Sequence, residues 1–121
     1  MSGLSKKDLN FFIAIGNEEQ FDSLLPYVRR NNYLKDGSLM RNKPEFWYET
    51  SEDLSNMELE GLIKTFTIAE KIIPNWKAGS VSPVIWLFRK LRERINFKDS
   101  NLEKWIIDNT DNNYLPYGSF R

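Results

Sequence analysis

The side chains best placed to do chemistry here are carboxylates, cations and aromatic rings, because the usual nucleophiles and bases are missing. The 121 residues contain no His and no Cys. Without His there is no Ser–His triad, no common general base and no common nitrogen ligand for a metal. Without Cys there is no thiol nucleophile, no zinc–thiolate centre and no disulfide framework. Acid–base work would fall to the carboxylates of Glu45, Glu49, Glu52, Asp53 and Glu58. Two of them facing one cleft about 5–10 Å apart would make a hydrolase pair. Acids near helix starts have a simpler use, which is to complement the helix dipole and cap free amides. The sequence therefore predicts no catalytic residue, no cofactor and no metal.

Two stretches carry binding chemistry. Lys77-Ala78-Gly79-Ser80-Val81-Ser82 runs into a helix start. Free amides, the positive end of a dipole, Lys77 and the hydroxyls of Ser80 and Ser82 suit a phosphate or carboxylate. The spacing is neither a Walker A loop nor a dinucleotide fingerprint. The same residues also read as a tight turn, with Gly79 at positive φ and Ser82 as a cap. The second stretch is the basic strip Arg89, Lys90, Arg92 and Arg94. Arg89 and Arg92 are neighbours on a helix, and such a strip would meet an acidic partner or a phosphate backbone. It would equally serve as the solvated face of an amphipathic helix.

Aromatic residues add a third group. Phe46-Trp47-Tyr48 puts large rings in succession, and Tyr114 and Tyr117 lie in the C-terminal tail. Trp and Tyr anchor protein interfaces, although rings in an irregular segment also plug cores. The expected partner-binding set is Trp47, Tyr48, Arg89, Arg92 and Tyr117, with weaker anion binding at Lys77, Ser80 and Ser82.

The elements that must position these groups are helical. Ser55 to Glu58 fits a capping box. Leu59, Leu62, Ile63, Phe66, Ala69 and Ile73 then recur at three- and four-residue steps, leaving Glu60, Lys64, Glu70 and Lys71 mostly off the stripe. Pro74 stops this helix, and Ser82-Pro83 opens another whose stripe is Val84, Ile85, Phe88, Leu91 and Ile95. A short turn between long helices predicts an antiparallel hairpin over 55–95. Gly61 costs that first helix about 1 kcal/mol of propensity relative to Ala, which points to close approach of a backbone or ring.

Around this hairpin, Ser5 to Asp8 predicts a helix start and Gly16 a stop. Asn17 to Gln20 predicts a further box, leading into a helix that Pro26 should kink or split and that closes in Arg29-Arg30. Asp36-Gly37 marks a turn, a short helix opens at Pro44, and Thr50 to Asp53 reads as a connector. After a loop at 96–99, a box at Ser100 to Glu103 begins a last helix ending near Asn109. Tyr114, Leu115, Tyr117 and Phe120 predict that the tail packs on the domain in extended form. The fold class expected is all-α: one domain over 1–121, a compact bundle of five or six helices, with a short stack of helical hairpins as the alternative.

Seventeen Lys and Arg balance seventeen Asp and Glu. Zero net charge disfavours nucleic acid as the partner. The start shows no signal peptide and no segment reaches the roughly 20 apolar residues of a membrane span, so a cytoplasmic location is expected. Frequent Asn, Lys and Ile suggest an AT-rich bacterial genome. The functional expectation is a non-enzymatic protein-binding module, either a small microbial inhibitor or immunity-type protein or an adaptor. The alternatives are a nucleic-acid-binding accessory protein using the basic face of helix 83–95, and a carboxylate-based hydrolase.

Overall fold

A computed structural model describes residues 4–95 and 100–120, and over these the chain is helical with no strand. The α-helices are α1 (Lys6–Glu18), α2 (Leu24–Arg30), α3 (Pro44–Ser51), α4 (Asn56–Ile72), α5 (Pro83–Ile95) and α6 (Ser100–Asn109). Short 3₁₀ turns cover Phe21–Ser23, Asn32–Leu34, Ser38–Arg41 and Gly79–Val81. The loop expected at 96–99 lies outside the described residues, as do residues 1–3 and 121 and the side chains of Ile95 and Ser100.

The helix at the centre is α4, and it starts as its sequence demands. The Ser55 hydroxyl accepts from the Glu58 amide at 3.1 Å, and the Glu58 carboxylate accepts from the Ser55 amide at 2.8 Å. Its apolar stripe is buried, and so are Gly61, Thr65, Thr67 and Ile68, so α4 is enclosed on more than one side. Its most extensive contact is with α1, not with α5 as the expected hairpin would have it. The reason is a pair of glycines. A Cβ on Gly16 would lie 1.7 Å from the Gly61 carbonyl oxygen, and a Cβ on Gly61 would lie 2.5 Å from that of Ile13. The two backbones therefore touch directly, and the Thr65 hydroxyl donates across the contact to the Phe12 carbonyl.

Gly61 is thus explained by close backbone approach, as its helix-breaking cost implies. Gly16 is not a stop. The helix α1 continues to Glu18 and closes at Glu19, whose φ is 52°. The box expected at Asn17 to Gln20 does not form, because Asn17 and Glu18 are still inside α1. Pro26 does split the following segment: a 3₁₀ turn precedes α2, whose first turn holds Pro26 where its missing N–H breaks no bond. Thr50 and Ser51 belong to α3 and not to a connector. The tail is not extended; residues 113–117 form successive turns, and Leu115 within them is fully buried.

Aromatic rings fill the space between elements. Phe12, Phe66 and Trp76 meet at centroid distances of 5.7–6.4 Å. Trp47 joins them 5.3 Å from Phe66. Both indoles are fully buried, yet they differ in polarity. The N–H of Trp76 donates to the Leu34 carbonyl at 2.8 Å, while that of Trp47 has no acceptor among the described residues. A second polar joint ties α1 to α2 and the turn after it: Asp8, itself buried, accepts from the hydroxyls of Tyr27 and Tyr33. Burial pushes the Asp8 carboxyl up, but those hydroxyls, Ser5 and the charge of Lys7 outweigh it and hold it below the ordinary value.

Two predictions follow from the packing. Gly16→Ala removes more than about 3 kcal/mol of stability in urea unfolding, because the atom in the way is backbone and cannot rotate aside. A loss below about 1 kcal/mol would mean that the helices separate at little cost. Trp76→Phe destabilises by about 1 kcal/mol more than Trp47→Phe, since only the first removes a buried hydrogen bond. Paired melts of the two variants check this difference.

Candidate interaction surface

The helix α5 is positioned from its first residue. Ser82 is buried, its hydroxyl accepts from the Val84 amide at 3.2 Å, and Pro83 takes the first helical position. Val84, Ile85, Leu87, Phe88 and Leu91 then face the core. One step of three around the helix leaves Arg89 and Arg92 exposed. Each lies over an aromatic ring. The Arg89 guanidinium is 5.1 Å from the centroid of half-buried Trp86. The Arg92 guanidinium is 4.9 Å from Tyr117 and 6.0 Å from Phe88.

The tail completes this face. Tyr117 meets Phe88 edge-on at 5.6 Å, and its hydroxyl donates to the Glu103 carboxylate on α6. Burial and then that bond push the Tyr117 phenol above its usual value, with Arg92 pulling the other way. An exposed cation–π contact contributes about 0.5–1 kcal/mol. Its larger effect is to order a long side chain in advance, which otherwise costs about 0.5–1.5 kcal/mol when a partner binds.

The other two members of the basic strip are used inside the molecule. Lys90 pairs with Glu52 at 2.8 Å, and its bond holds the Glu52 carboxyl below the usual range. The Arg94 guanidinium donates to the carbonyls of Ser51, at 2.8 Å, of Glu52, at 3.0 Å, and of Leu54. Those carbonyls are what the end of α3 leaves without helical partners. Lys90 and Arg94 therefore fasten α3 to α5, and among the described residues the strip leaves Arg89 and Arg92 without an ion pair.

Trp47 does not belong to any surface. It is fully buried against Phe66, so its place in the partner-binding set is corrected to the core. Helix α3 turns this side chain inward because it lies flat on α5. Tyr48, one position on, is half-buried.

The turn at 77–82 does receive an anion, but the anion is the chain's own. Glu70, buried near the end of α4, accepts from the Ala78 amide at 3.2 Å, the Ser82 hydroxyl and the Asn112 amide at 3.1 Å. Gly79 has the expected positive φ, 54°, and its carbonyl accepts from Asn112 as well. Ser82 is thus engaged, Ser80 is exposed, and Lys77 stands 4.0 Å from Asp111. Of the three residues expected to bind an external anion, this internal carboxylate bonds Ser82. Burial drives the Glu70 carboxyl above its ordinary value; its three hydrogen bonds oppose that, and Asp111 adds to it.

Of the carboxylates considered as a hydrolase pair, two are engaged within the chain, and Asp53 is exposed. Glu58 closes its capping box, Glu52 holds Lys90, and Glu45 and Glu49 are exposed on α3. No group of three or more His, Cys, Asp or Glu side chains is arranged to hold a metal among the described residues. No helix among them is long and apolar enough to cross a membrane. No family model, curated protein or solved structure matches this chain with significance.

Sequence reasoning missed Glu70, Asn112 and the role of Trp86. The signal for Glu70 was present. It is four residues after Phe66 and three before Ile73, which sets it on the apolar stripe and not off it. Trp86 and Arg89, three apart, carry the helical spacing of a stacked pair. The Asn112 side-chain oxygen accepts locally from the Tyr114 amide, but its side-chain N–H groups reach partners 33 and 42 residues away, which no local pattern marks.

Buried Glu70 and Asp8 give opposite pH linkages. A carboxyl raised on folding makes the native state gain stability as pH falls from that raised pKa toward about 4.3. A lowered one makes it lose stability as pH falls below about 3.9. Urea midpoints should therefore rise slightly below neutrality and fall in stronger acid. Glu70→Gln should remove the rise and Asp8→Asn should soften the fall; a rise that persists in Glu70→Gln assigns it to another group.

Proposed function

We propose that this chain is a non-enzymatic protein-binding module that docks its partner on the outer face of α5 and the adjoining tail. The observation that carries this reading is the pair of stacked arginines, Arg89 on Trp86 and Arg92 on Tyr117. Arg, Trp and Tyr are the residue types that dominate interface energies, and here they are ordered before any partner arrives. The absence of His and Cys fits a recognition role. In this reading α4 and α5 form an antiparallel hairpin, the tail folds over its end, and the protein acts in a microbial cytoplasm as an inhibitor, an immunity-type protein or an adaptor. The nucleic-acid reading is weaker, because Lys90 and Arg94 are held by α3 and the net charge is zero.

A photoreactive phenylalanine at position 117, with a control at exposed Met57, tests the proposal in the native host. One protein should crosslink at 117 and not at 57. Charge reversal by Arg89→Glu or Arg92→Glu should each weaken its binding by about tenfold or more, which is about 1.4 kcal/mol. Crosslinking that survives both reversals, or that is equal at 57, overturns the assignment. Binding of an oligonucleotide that falls steeply with salt would favour the nucleic-acid reading instead.

A further inference from the structure

We propose that the cleft between α2 and the end of α4 is a binding site for a small amphipathic anion, an apolar body carrying a carboxylate head. The cleft has a volume of about 280 Å³ and is lined by Leu25, Val28, Arg29, Lys35 and the segment Ile73 to Asn75. Val28 and Ile73 are buried in its floor, and Leu25 and Pro74 make its walls. Its only charged lining residues are Arg29 and Lys35, both exposed.

The corner that shapes the cleft is held from both sides. Pro74 ends α4, and Asn75 takes a φ of 73°, turning the chain sharply. The Asn75 carbonyl accepts from Arg41 at 3.2 Å, and its side-chain amide donates to the Lys35 carbonyl at 3.4 Å. Gly37 fits beneath: a Cβ there would stand 1.9 Å from the Asn75 oxygen. The walls are therefore preformed, as ligand sites usually are.

Charge selects the ligand. Neither Arg29 nor Lys35 forms an ion pair or a side-chain hydrogen bond among the described residues. A planar guanidinium beside a mobile ammonium, above an apolar floor, suits a carboxylate on an aliphatic or aromatic chain. The neighbouring cleft on the far side of the same corner differs in this respect. Its charged lining is Arg41, Glu70, Lys71 and Lys77; all but exposed Lys71 already have a partner in the chain, and the set includes a carboxylate, which the first cleft lacks. Room for roughly nine water-sized groups, at about 30 Å³ each, sets the ligand at the size of a medium-chain acid.

Titration of the whole protein with octanoate, followed by amide chemical shifts, tests the site. Shifts should gather at Val28, Arg29, Lys35, Ile73 and Asn75. Octanol and octylammonium should bind at least about tenfold more weakly, and Arg29→Glu or Lys35→Glu should cost octanoate a similar factor. Both substitutions are at exposed positions, and unchanged spectra elsewhere will show that the variants are folded. Shifts scattered over the surface, octylammonium binding equal to octanoate, or indifference to both reversals would each overturn the proposal. Because α5 takes no part, failure here leaves the proposed protein interface standing, and failure there leaves this site standing.

Discussion

The backbone contact between α1 and α4 is the constraint on which the other elements depend. Two helices normally sit 8–10 Å apart, with side chains between them. At Gly16 the Gly61 carbonyl fills the space where a Cβ would be, and at Gly61 the Ile13 carbonyl and the Asn17 side chain do so. That proximity lets the Thr65 hydroxyl reach the Phe12 carbonyl and brings the Phe12, Phe66 and Trp76 rings into one cluster. A glycine inside a helix costs about 1 kcal/mol. Apolar burial along the longest interface in the molecule, at about 25 cal/mol per Å², exceeds that cost once a few tens of Å² are added. The glycines thus favour this crossing over a looser one that the same apolar stripes would allow.

Most of the remaining specificity comes from polar groups that bond inward. Asp8 gathers two tyrosine hydroxyls, Glu70 gathers the α4–α5 turn and the tail, and Arg94 gathers the carbonyls at the end of α3. Each is a charged group with several hydrogen-bonding partners, the arrangement in which a buried or half-buried charge is tolerated. Each also joins segments far apart in sequence. Removing the central charged group would take a bond from every partner at once, so each joint fixes several segments together.

This pattern explains what was legible in the sequence. Local rules were reliable where the cause was local: the box at Ser55, the cap at Ser82, the stop at Pro74, the split at Pro26 and the positive φ at Gly79. Gly61 could be read because a helix-weakening residue needs a compensating contact. The partner of that contact, Gly16, could not, since a glycine near a helix end is equally well explained as a stop. Trp47 and Tyr48 illustrate the same limit from the other side. Adjacent rings on a short helix point in different directions, and only the position of α5 decides which is enclosed. The turns of the tail were not legible, because its bonds run to Glu70 and its ring contact to Phe88, both distant in sequence.

The same inward bonding bears on the interface proposed for α5. The strip on α5 begins as four cations of similar appearance, and proximity to α3 removes two of them. Arg94 meets the carbonyls of Ser51, Glu52 and Leu54 and Lys90 meets Glu52, so their charge is answered within the chain. Arg89 and Arg92 face no carboxylate among the described residues; they lie on aromatic rings, which hold a guanidinium in place without neutralising it. An arginine in that state keeps its hydrogen-bond donors directed outward and has already lost part of its side-chain freedom. Recognition sites on a chain without His or Cys are therefore best sought where a charge is ordered but not answered. Here that means two residues three apart on one helix, with the tail folded beside them.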